Sequence, residues 1–146
     1  MIRPAAGADL AELESLWERY RHEAADDRCA DAEAWRRWMR PRISAGDVRV
    51  GMIDRRIAAY VAWQRSAVSA AGARELRVLE LYVHPEGRGQ RLGSGLLARA
   101  IDAARQRGCD ALEMTANVHD EGVRGLAEPF GFTLAGGALR LQLQRR

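Results

Sequence analysis

The sequence contains no lysine, since all 23 of its basic residues are arginine. This absence excludes modification of its own lysine side chains. Cysteine is scarce, and Cys29 and Cys109 are too isolated to form a disulfide framework or a metal site. Neither cysteine has a nearby histidine in sequence that would activate it as a nucleophile. We therefore expect two ordinary reduced thiols and no bound metal.

Long apolar runs are also missing. No stretch approaches the roughly 20 apolar residues that a membrane-spanning helix needs. The first residues lack the apolar core of a signal peptide, so we expect a cytoplasmic protein without a membrane partner. Repeats and low-complexity tracts are absent as well. A length of 146 residues, with 47% hydrophobic and 29% charged residues, then predicts a single globular domain over residues 1–146.

The positive charge is modest and dispersed. A formal net charge of +3 favours an anionic ligand, such as one that carries phosphates. Binding of nucleic acid is typical of basic patches with interleaved aromatic residues, whereas the arginines here are scattered along the chain. We therefore expect no nucleic-acid partner.

The first third of the chain has a mainly helical period. A short strand is predicted at residues 2–5, followed by a helix for which Asp9 is a good N-cap. The polar stretch of residues 21–30 predicts a loop. A second helix is predicted at residues 31–40, with Pro41 as its stop signal.

From residue 48 onward the apolar residues mostly alternate with polar ones, as they do in strands. The predicted elements are strands at residues 48–52, 57–64 and 76–83, a helix from residue 93 or 94 to 107, and strands at 111–115 and 139–143. This order predicts a mixed α/β fold with a largely antiparallel sheet. It does not predict a doubly wound parallel sheet.

The turn that precedes the third predicted helix is rich in glycine. Residues 87–95 include four glycines, two arginines and a serine at the predicted helix start. Glycines let successive backbone N–H groups point inward, the helix start adds partial positive charge, and Arg88 and Arg91 add full charges. The pattern predicts a cradle for a pyrophosphate. The alternative is a plain strand-to-helix connection that needs glycine for its bend.

A dinucleotide-binding fingerprint is a further alternative for the same glycines. Gly87, Gly89 and Gly93 fit a variant of it, with Glu113 where an acid that binds ribose would stand. However, the glycines begin several residues beyond the strand end, and the earlier strands are predicted to be antiparallel. The 31 residues after Thr115 are also too few for a second mononucleotide-binding half.

The same segment resembles the acetyl-CoA-binding motif of the GNAT superfamily of N-acetyltransferases, which has the form Arg/Gln-x-x-Gly-x-Gly/Ala. The chain has Tyr82-Val83-His84-Pro85 followed by Arg88-Gly89-Gln90-Arg91-Leu92-Gly93-Ser94. The Ile-Arg-Pro-Ala opening, the element order and Gly131-Phe132 extend the resemblance over nearly the whole chain. It implies a GNAT-like α/β fold, mixed and largely antiparallel, with a twisted sheet flanked by about four helices.

The resemblance also implies acetyl-CoA as cosubstrate, without a metal, and it implies which residues bind it. The pantetheine arm would lie along a strand edge, with Asn117 near the same arm, and the pyrophosphate would lie on the motif. The residues implied are Leu81, Tyr82 and Val83 for the arm, and Arg88, Gly89, Gln90, Arg91, Leu92, Gly93 and Ser94 for the pyrophosphate.

Two positions depart from the family pattern. Arg91 replaces the first glycine of the motif, which suggests a less tight turn. Ala127 stands where many members carry a tyrosine that protonates the departing thiolate. The helix before it is also a poor one, because it contains Gly122 and Gly125 and because Pro129 must end it early.

Glu80 is the best candidate for a catalytic base. Amide formation needs a neutral amine, so a group must accept a proton from an alkyl ammonium with a pKa near 10. Glu80 lies in an apolar strand on the same face as Tyr82, and burial would raise its pKa. Its alternative role is to pair with an arginine. Tyr82 is a candidate to assist, His119 is a candidate to replace the missing tyrosine as acid, and His84 is interpreted as structural.

The resemblance implies that the two early helices build most of the acceptor pocket. Acids and aromatic residues there would suit a cationic amine, although tryptophans at helical spacing more often belong to a core and an acidic loop is usually just solvated. The residues are Trp17, Tyr20, His22, Glu23, Asp26, Asp27, Trp35 and Trp38. We therefore predict an N-acetyltransferase in which a primary amine of a small molecule or peptide attacks acetyl-CoA directly. A non-catalytic acyl-CoA-binding module is the alternative, and the strand at residues 139–143 is a candidate edge for a homodimer.

Overall fold

The computed structural model describes residues 1–24, 31–65, 68, 72–115 and 120–143. In this part of the chain four helices flank one sheet of seven strands. The helices are α1 (Leu10–Glu23), α2 (Ala32–Ser44), α3 (Leu92–Gln106) and α4 (Glu121–Ala127). The strands are β1 (Ile2–Pro4), β2 (Val48–Ile53), β3 (Arg56–Arg65), β4 (Glu75–Val83), β5 (Ala111–Met114), β6 (Thr133–Ala135) and β7 (Ala138–Gln142).

The spatial order of the strands is β1-β2-β3-β4-β5-β7-β6. The pair β4–β5 is parallel, and the other neighbouring pairs are antiparallel. A helix, α3, connects the two parallel strands, as a parallel connection requires. The predicted mixed and largely antiparallel α/β architecture is therefore confirmed.

The two faces of the sheet carry different helices, because successive side chains of a strand point to opposite faces. On β3, Tyr60 and Ala62 belong to a core shared with α1 and α2. Val61 and Trp63 belong to a second core on the α3 side. All four residues are 0% exposed, so β3 is buried on both faces. A central strand of this kind holds the neighbouring β4 in a fixed position.

Strand β4 has an extra residue in its middle and an open edge at its end. Ala62 stands opposite Glu80 and Trp63 opposite Val78, so Leu79 is left over as a β-bulge. The described pairing of β4 with β5 runs only from Glu75 to Val78. The backbone N–H of His84 donates to the carbonyl of Ala58 at 2.7 Å, so the alternate backbone groups of β4 point away from β3. Those are the groups of residues 81 and 83.

The prediction that Pro41 ends the second helix is wrong, since α2 runs on to Ser44. Pro41 has no N–H to give to the carbonyl four residues earlier, which costs the helix one hydrogen bond. Burial of Met39 and Ile43 against the sheet offsets this cost. In addition, the Arg42 Nη1 atom donates to the carbonyl of Trp38 at 2.6 Å.

The loop predicted at residues 21–30 begins too early. Helix α1 continues to Glu23, and residues 25–30 lie outside the described part of the chain. The last turn of α1 consists of polar residues that a hydrophobic pattern does not predict. It is stabilised by contacts of Glu23 with two residues from β4 and the following turn.

The interpretation of the last predicted strand as a free edge is also wrong. Strand β7 pairs with β5 on one side and with β6 on the other. Strand β6 was not predicted, because it has only three residues, all of them exposed, and so has no apolar alternation. Within the described residues, no helix is both long and apolar enough to cross a membrane.

Candidate functional site

A cleft of about 620 Å³ opens where β4 ends and α3 begins. The end of α1, the edge of β4, the turn before α3, and α4 form its walls. Its lining residues are Tyr20, Glu23, Ala24, Leu81, Tyr82, Val83, Gly87, Arg88, Gly89, Arg91, Leu92, Gly93, Asp120, Gly122, Val123 and Leu126. Such a volume is typical of pockets for small molecules and cofactors.

Most of the residues predicted to bind a cofactor meet at this cleft. Residues 81–83, Arg88, Gly89 and residues 91–93 line it. Gln90 and Ser94 are not among its lining residues; the amide of Gln90 instead donates to the carbonyl of Glu86 at 3.4 Å. Asn117 and His119 were also predicted to lie at this site, and both fall outside the described residues.

The turn before α3 exposes backbone donors. Gly89 and Arg91 have left-handed conformations, with φ angles of 83° and 61°. Arg91 is the N-cap of α3, and no side chain caps this helix end. The first bond from turn to helix joins the Gly95 N–H to the Arg91 carbonyl at 3.0 Å. The N–H groups of residues 92–94 therefore have no acceptor within the helix and stand at its positive end.

Arg91 has the backbone conformation for which a glycine would be favoured. An L-residue in the left-handed region costs roughly 1–2 kcal/mol, whereas glycine adopts it freely. Arg91, at the position of the first motif glycine, therefore adopts this conformation at a cost in stability. The less tight turn expected from the replacement stays a prediction.

Arg88 is held against the wall of the cleft. Its Nη2 atom donates to Glu23 Oε2 at 2.6 Å, and its Nε atom donates to the carbonyl of Val83 at 3.2 Å. The second contact uses a carbonyl on the open edge of β4. The guanidinium of Arg88 therefore joins the end of α1 to the edge of β4.

Glu23 accepts a second hydrogen bond, from the hydroxyl of Tyr82 at 2.7 Å. Burial alone would raise the pKa of Glu23. Hydrogen bonds from Tyr82 and Arg88, together with the charges of Arg88 and Arg19, outweigh it and lower that pKa. Glu23 is therefore a stable anion at the rim of the cleft.

Tyr82 is fixed on the α1 side of the sheet. Its ring stacks on Tyr20, with centroids 5.4 Å apart and an angle of 4° between the ring planes. Burial raises the pKa of Tyr82 to about 12, and the hydrogen bond to Glu23 and the charge of Glu23 add to this effect. The hydroxyl of Tyr82 is therefore protonated at neutral pH.

Glu80 lies half-buried on the same face, deeper in the sheet. Its Oε1 atom accepts a hydrogen bond from the Tyr60 hydroxyl at 2.7 Å and another from Trp35 Nε1 at 3.1 Å. Burial raises the pKa of Glu80, although these two hydrogen bonds and the charge of Arg42 lower it. Among the described residues Glu80 forms no ion pair with an arginine, so its predicted alternative role is not seen there.

The position compared with a catalytic tyrosine does not face the cleft. Ala127 is 0% exposed and packs in the core on the α3 side. The residues of α4 that line the cleft are Gly122, Val123 and Leu126, and none of their side chains can donate a proton. His84 accepts the Glu86 N–H at its Nδ1 atom and so shapes the turn, which agrees with a structural role.

Three side chains at this site had no such role in the sequence analysis. Glu23 and Trp35 were named only among the residues of a predicted acceptor pocket, and Tyr60 was not singled out. A buried tryptophan or tyrosine usually finds a partner for its polar end, and a glutamate in an apolar strand needs donors. These two requirements together would have suggested that Trp35 or Tyr60 contacts Glu80. No local pattern in the sequence identifies Glu23.

The described part of this region offers no candidate metal site. The described residues contain no group of three or more His, Cys, Asp or Glu side chains that could hold a metal ion. The carboxylates of Glu80 and Glu23 instead accept hydrogen bonds from aromatic side chains and, for Glu23, from Arg88.

The fold and the cleft together define an α/β protein that can hold an anionic ligand where its sheet opens. Residues 9–132 match the model of the Acetyltransferase (GNAT) family, and the chain belongs to this family. Acetyl transfer is therefore its general class of reaction. No curated protein sequence matches the chain.

Solved structures with the same fold include three acetyltransferases. The putative acetyltransferase YncA from Salmonella typhimurium, with its cofactor acetyl-CoA, has a TM-score of 0.78 and 24% identity, over 100% of this chain and 95% of its own. Ribosomal-protein-alanine N-acetyltransferase from Brucella melitensis has a TM-score of 0.75 and 21% identity, over 98% and 99%. PaiA N-acetyltransferase from Thermoplasma acidophilum, in complex with coenzyme A, has a TM-score of 0.73 and 17% identity, over 98% of both chains.

Proposed function

We propose that this protein transfers the acetyl group of acetyl-CoA to a primary amine by direct attack of the amine on the thioester. The observation that carries the proposal is the uncapped start of α3, which opens into the same cleft as the free edge of β4. The cleft thus offers donors for a pyrophosphate at the start of α3, and it is also lined by Tyr82, two residues along β4 from Glu80.

The pyrophosphate would bind at the turn before α3. The N–H groups of residues 92–94 and the left-handed positions 89 and 91 form a concave set of backbone donors. Arg88 and Arg91 add positive charge on the same side. Gln90 and Ser94 would contribute through their backbone, since their side chains do not line the cleft.

The pantetheine arm would lie along β4. The backbone groups of Leu81 and Val83 point away from β3, so they are oriented to pair with an extended amide chain as a neighbouring strand would. The contact of Arg88 with the Val83 carbonyl would have to open to make this carbonyl available. Asn117 remains a proposed contact to the same arm.

Glu80 would act as the base. Acetyl-CoA supplies a thioester carbonyl carbon that is open to attack. The first proton of the ammonium would pass to Glu80, and the neutral amine nitrogen would form a bond to this carbon while the carbon–sulfur bond breaks. The second proton, which the nitrogen loses as the amide forms, would end on the departing sulfur to give the CoA thiol. A carboxylate whose pKa is raised by burial is a better base than an exposed one.

The departing sulfur needs little help. A thiol has a pKa of about 8.5, so a thiolate is a stable leaving group near neutral pH. Tyr82, with a pKa raised to about 12, would keep its own proton and assist only by hydrogen bonding. His119 remains a proposed proton donor. An alanine at position 127 is therefore compatible with turnover.

The neighbouring structures support the cosubstrate and the class of acceptor. The Salmonella protein is described with its cofactor acetyl-CoA, and the Thermoplasma protein is in complex with coenzyme A. The Brucella protein is a ribosomal-protein-alanine N-acetyltransferase. By analogy we propose a small molecule or a peptide with a free amine as the acceptor here.

We further propose that residues 1–146 form one domain. Strand β1 at the start of the chain and β7 near its end lie in the same sheet. The helices on both faces pack against this sheet, so no described segment has a separate core.

The test is the release of CoA thiol from acetyl-CoA by the purified protein, with a panel of small amines, polyamines, aminoglycosides and peptides with free N-termini. We expect release above background with at least one of these classes. Release at the background rate across the whole panel would contradict catalysis.

A second function, binding of acyl-CoA without turnover, is favoured by one observation: α4 presents no proton donor to the cleft. Glu80→Gln distinguishes the two. In an enzyme it should lower kcat roughly 100-fold or more and leave acetyl-CoA affinity unchanged, as expected for loss of a general base. In a binding module it should change neither the background release of thiol nor the affinity.

A further inference from the structure

Both described donors to Glu80 converge on one of its two oxygens. The hydroxyl of Tyr60, from β3, and the indole N–H of Trp35, from α2, donate to Oε1. Tyr60 is 0% exposed and Trp35 only 6% exposed. Trp35 also stacks on Trp17 of α1, with ring centroids 5.0 Å apart. The carboxylate is thus held through a single oxygen by side chains of β3 and α2, and α1 supports one of them.

The other oxygen of Glu80, Oε2, has different surroundings. Among the described residues no donor contacts it, and Glu80 has no further interaction beyond those given above. It is also absent from the buried side-chain atoms that lack a partner in the described part of the chain. Since Oε2 has no partner among the described residues and is not fully buried, solvent can reach it. A carboxylate with a purely structural role in a core would have both oxygens satisfied.

We infer that Tyr60 and Trp35 are positioning residues, which hold Glu80 by Oε1 and leave Oε2 as the oxygen that takes the proton of the acceptor amine. This inference rests on the proposed function, because it specifies which oxygen of the proposed base accepts the proton. The acceptor amine then approaches Glu80 from the side opposite to Tyr60 and Trp35. Both positioning residues act through Glu80 and touch no substrate.

The two hydrogen bonds also affect the pH range in which Glu80 is deprotonated and can act as a base. Each stabilises the anion, and so each lowers the pKa of Glu80 against the effect of burial. The groups that act on Glu80 from the packed elements are Tyr60 of β3 and Trp35 and Arg42 of α2. Tyr20 of α1 and Tyr82 of β4 act on Tyr60 in turn. Loss of either donor to Oε1 should therefore shift the deprotonation of Glu80 to higher pH.

The experiment compares the pH dependence of kcat in the wild type, Tyr60→Phe and Trp35→Phe, with the best amine from the thiol-release panel. Loss of one hydrogen bond to a charged group should move the acid limb up by about one pH unit, so that the rate well below the limb falls roughly tenfold. Above the limb, kcat should stay within roughly threefold of the wild type, because the base is then fully deprotonated. Met39→Leu, a change of similar volume one turn along α2, is the matched control and should leave the limb in place.

A second readout does not depend on turnover. Carboxyl ¹³C NMR should show a higher pKa for Glu80 in Tyr60→Phe than in the wild type, and thermal melting should show that the variants are folded. An unmoved limb and an unmoved Glu80 pKa in both variants would overturn the inference. A Glu80→Gln enzyme that keeps full turnover would instead overturn the proposed base, so the two failures are distinguishable.

Discussion

Glu80 and Glu23 are two carboxylates on the α1–α2 side of the sheet. They have similar hydrogen-bond contacts, but their pKa values are shifted in opposite directions. Each accepts a hydrogen bond from a tyrosine hydroxyl at 2.7 Å, and each has a second N–H donor. Yet the pKa of Glu80 is raised and that of Glu23 is lowered. The number of hydrogen bonds therefore does not decide the direction of the shift.

Burial and direct contact with a cation account for the difference. Glu80 is half-buried beside two aromatic side chains, and Arg42 acts on it only through its charge. Glu23 is at the rim, its side chain is 34% exposed, and it is paired with Arg88. The same type of side chain thus has a raised pKa deeper in the sheet and is a permanent anion at the rim of the cleft. Carboxylates whose pKa values are driven apart by their environments often have different functions.

The largest effect should come from reversing the charge at the rim. In Arg88→Glu the pyrophosphate loses a cation and meets a new carboxylate, so the affinity for acetyl-CoA should fall about 30-fold to 100-fold. Calorimetric titration measures it. Arg99→Glu, the same charge change at an exposed position on α3, should have little effect. Equal losses in the two variants would mean that the rim acts only through net charge.

A smaller effect of opposite sign is expected for Glu23→Gln. Glu23 competes with the pyrophosphate for Arg88, so its neutralisation should tighten acetyl-CoA binding roughly 3-fold to 10-fold at low salt, and less as salt screens the exposed pair. The control is Asp120→Asn, which removes another negative charge from the cleft without a contact to Arg88. If both variants tighten binding equally, competition for Arg88 is not the cause.

The pH dependence of stability should differ between the two acids. The folded-state pKa of Glu80 is raised, so its contribution to stability is lost as the pH rises through that pKa. The difference in Tm between Glu80→Gln and the wild type should therefore grow in favour of the variant from pH 5 to pH 8, by roughly a few degrees.

Glu23, with its lowered pKa, contributes stability at neutral pH that is lost on acidification. Glu23→Gln should therefore lower Tm at pH 7 and not at pH 3. If the Tm of both variants, relative to the wild type, changed with pH in the same direction, the two acids would not differ in pKa as described.

The smallest expected effect concerns the strained turn. Arg91→Gly should relieve the left-handed strain and raise Tm by roughly 2–4 °C, since part of the gain is lost to the greater freedom of glycine when unfolded. Arg91→Ala loses the same charge and keeps the strain, so it serves as the control. A lower Tm for Arg91→Gly than for Arg91→Ala would show that the turn is not strained. If the backbone makes the main contact, the affinity for acetyl-CoA should fall by less than about threefold in both variants.

Much of the fold could be predicted because it depends on local patterns. Alternation of apolar residues predicted β2, β3 and β4, and the glycine-rich turn predicted the start of α3. Pro41 misled the prediction because its helix is stabilised by tertiary burial, which outweighs a local stop signal. Strand β6 was missed because exposed residues paired at a sheet edge leave no periodic pattern.

The candidate site also has parts that local patterns predict and parts that they do not. That Glu80 and Tyr82 share a face follows from the period of a strand, and the resemblance to a family motif pointed to Arg88 and Gly93. The contacts of Glu80 with Trp35 and Tyr60 join residues 45 and 20 positions apart, and Glu23 and Arg88 are 65 positions apart. Such pairs depend on how helices and strands pack, which no spacing rule encodes.

The most direct test of the account is to locate acetyl-CoA on the protein by mapping amide shifts in ¹H–¹⁵N NMR spectra during a titration. The account predicts saturable shifts, with the largest at the amides of residues 88–94 and of Leu81 and Val83. A second cavity, of about 410 Å³ and lined by Glu12, Arg56 and His84 among others, should show little change. No saturable shifts, or shifts centred on that second cavity, would contradict the claim that the start of α3 and the edge of β4 hold the cosubstrate.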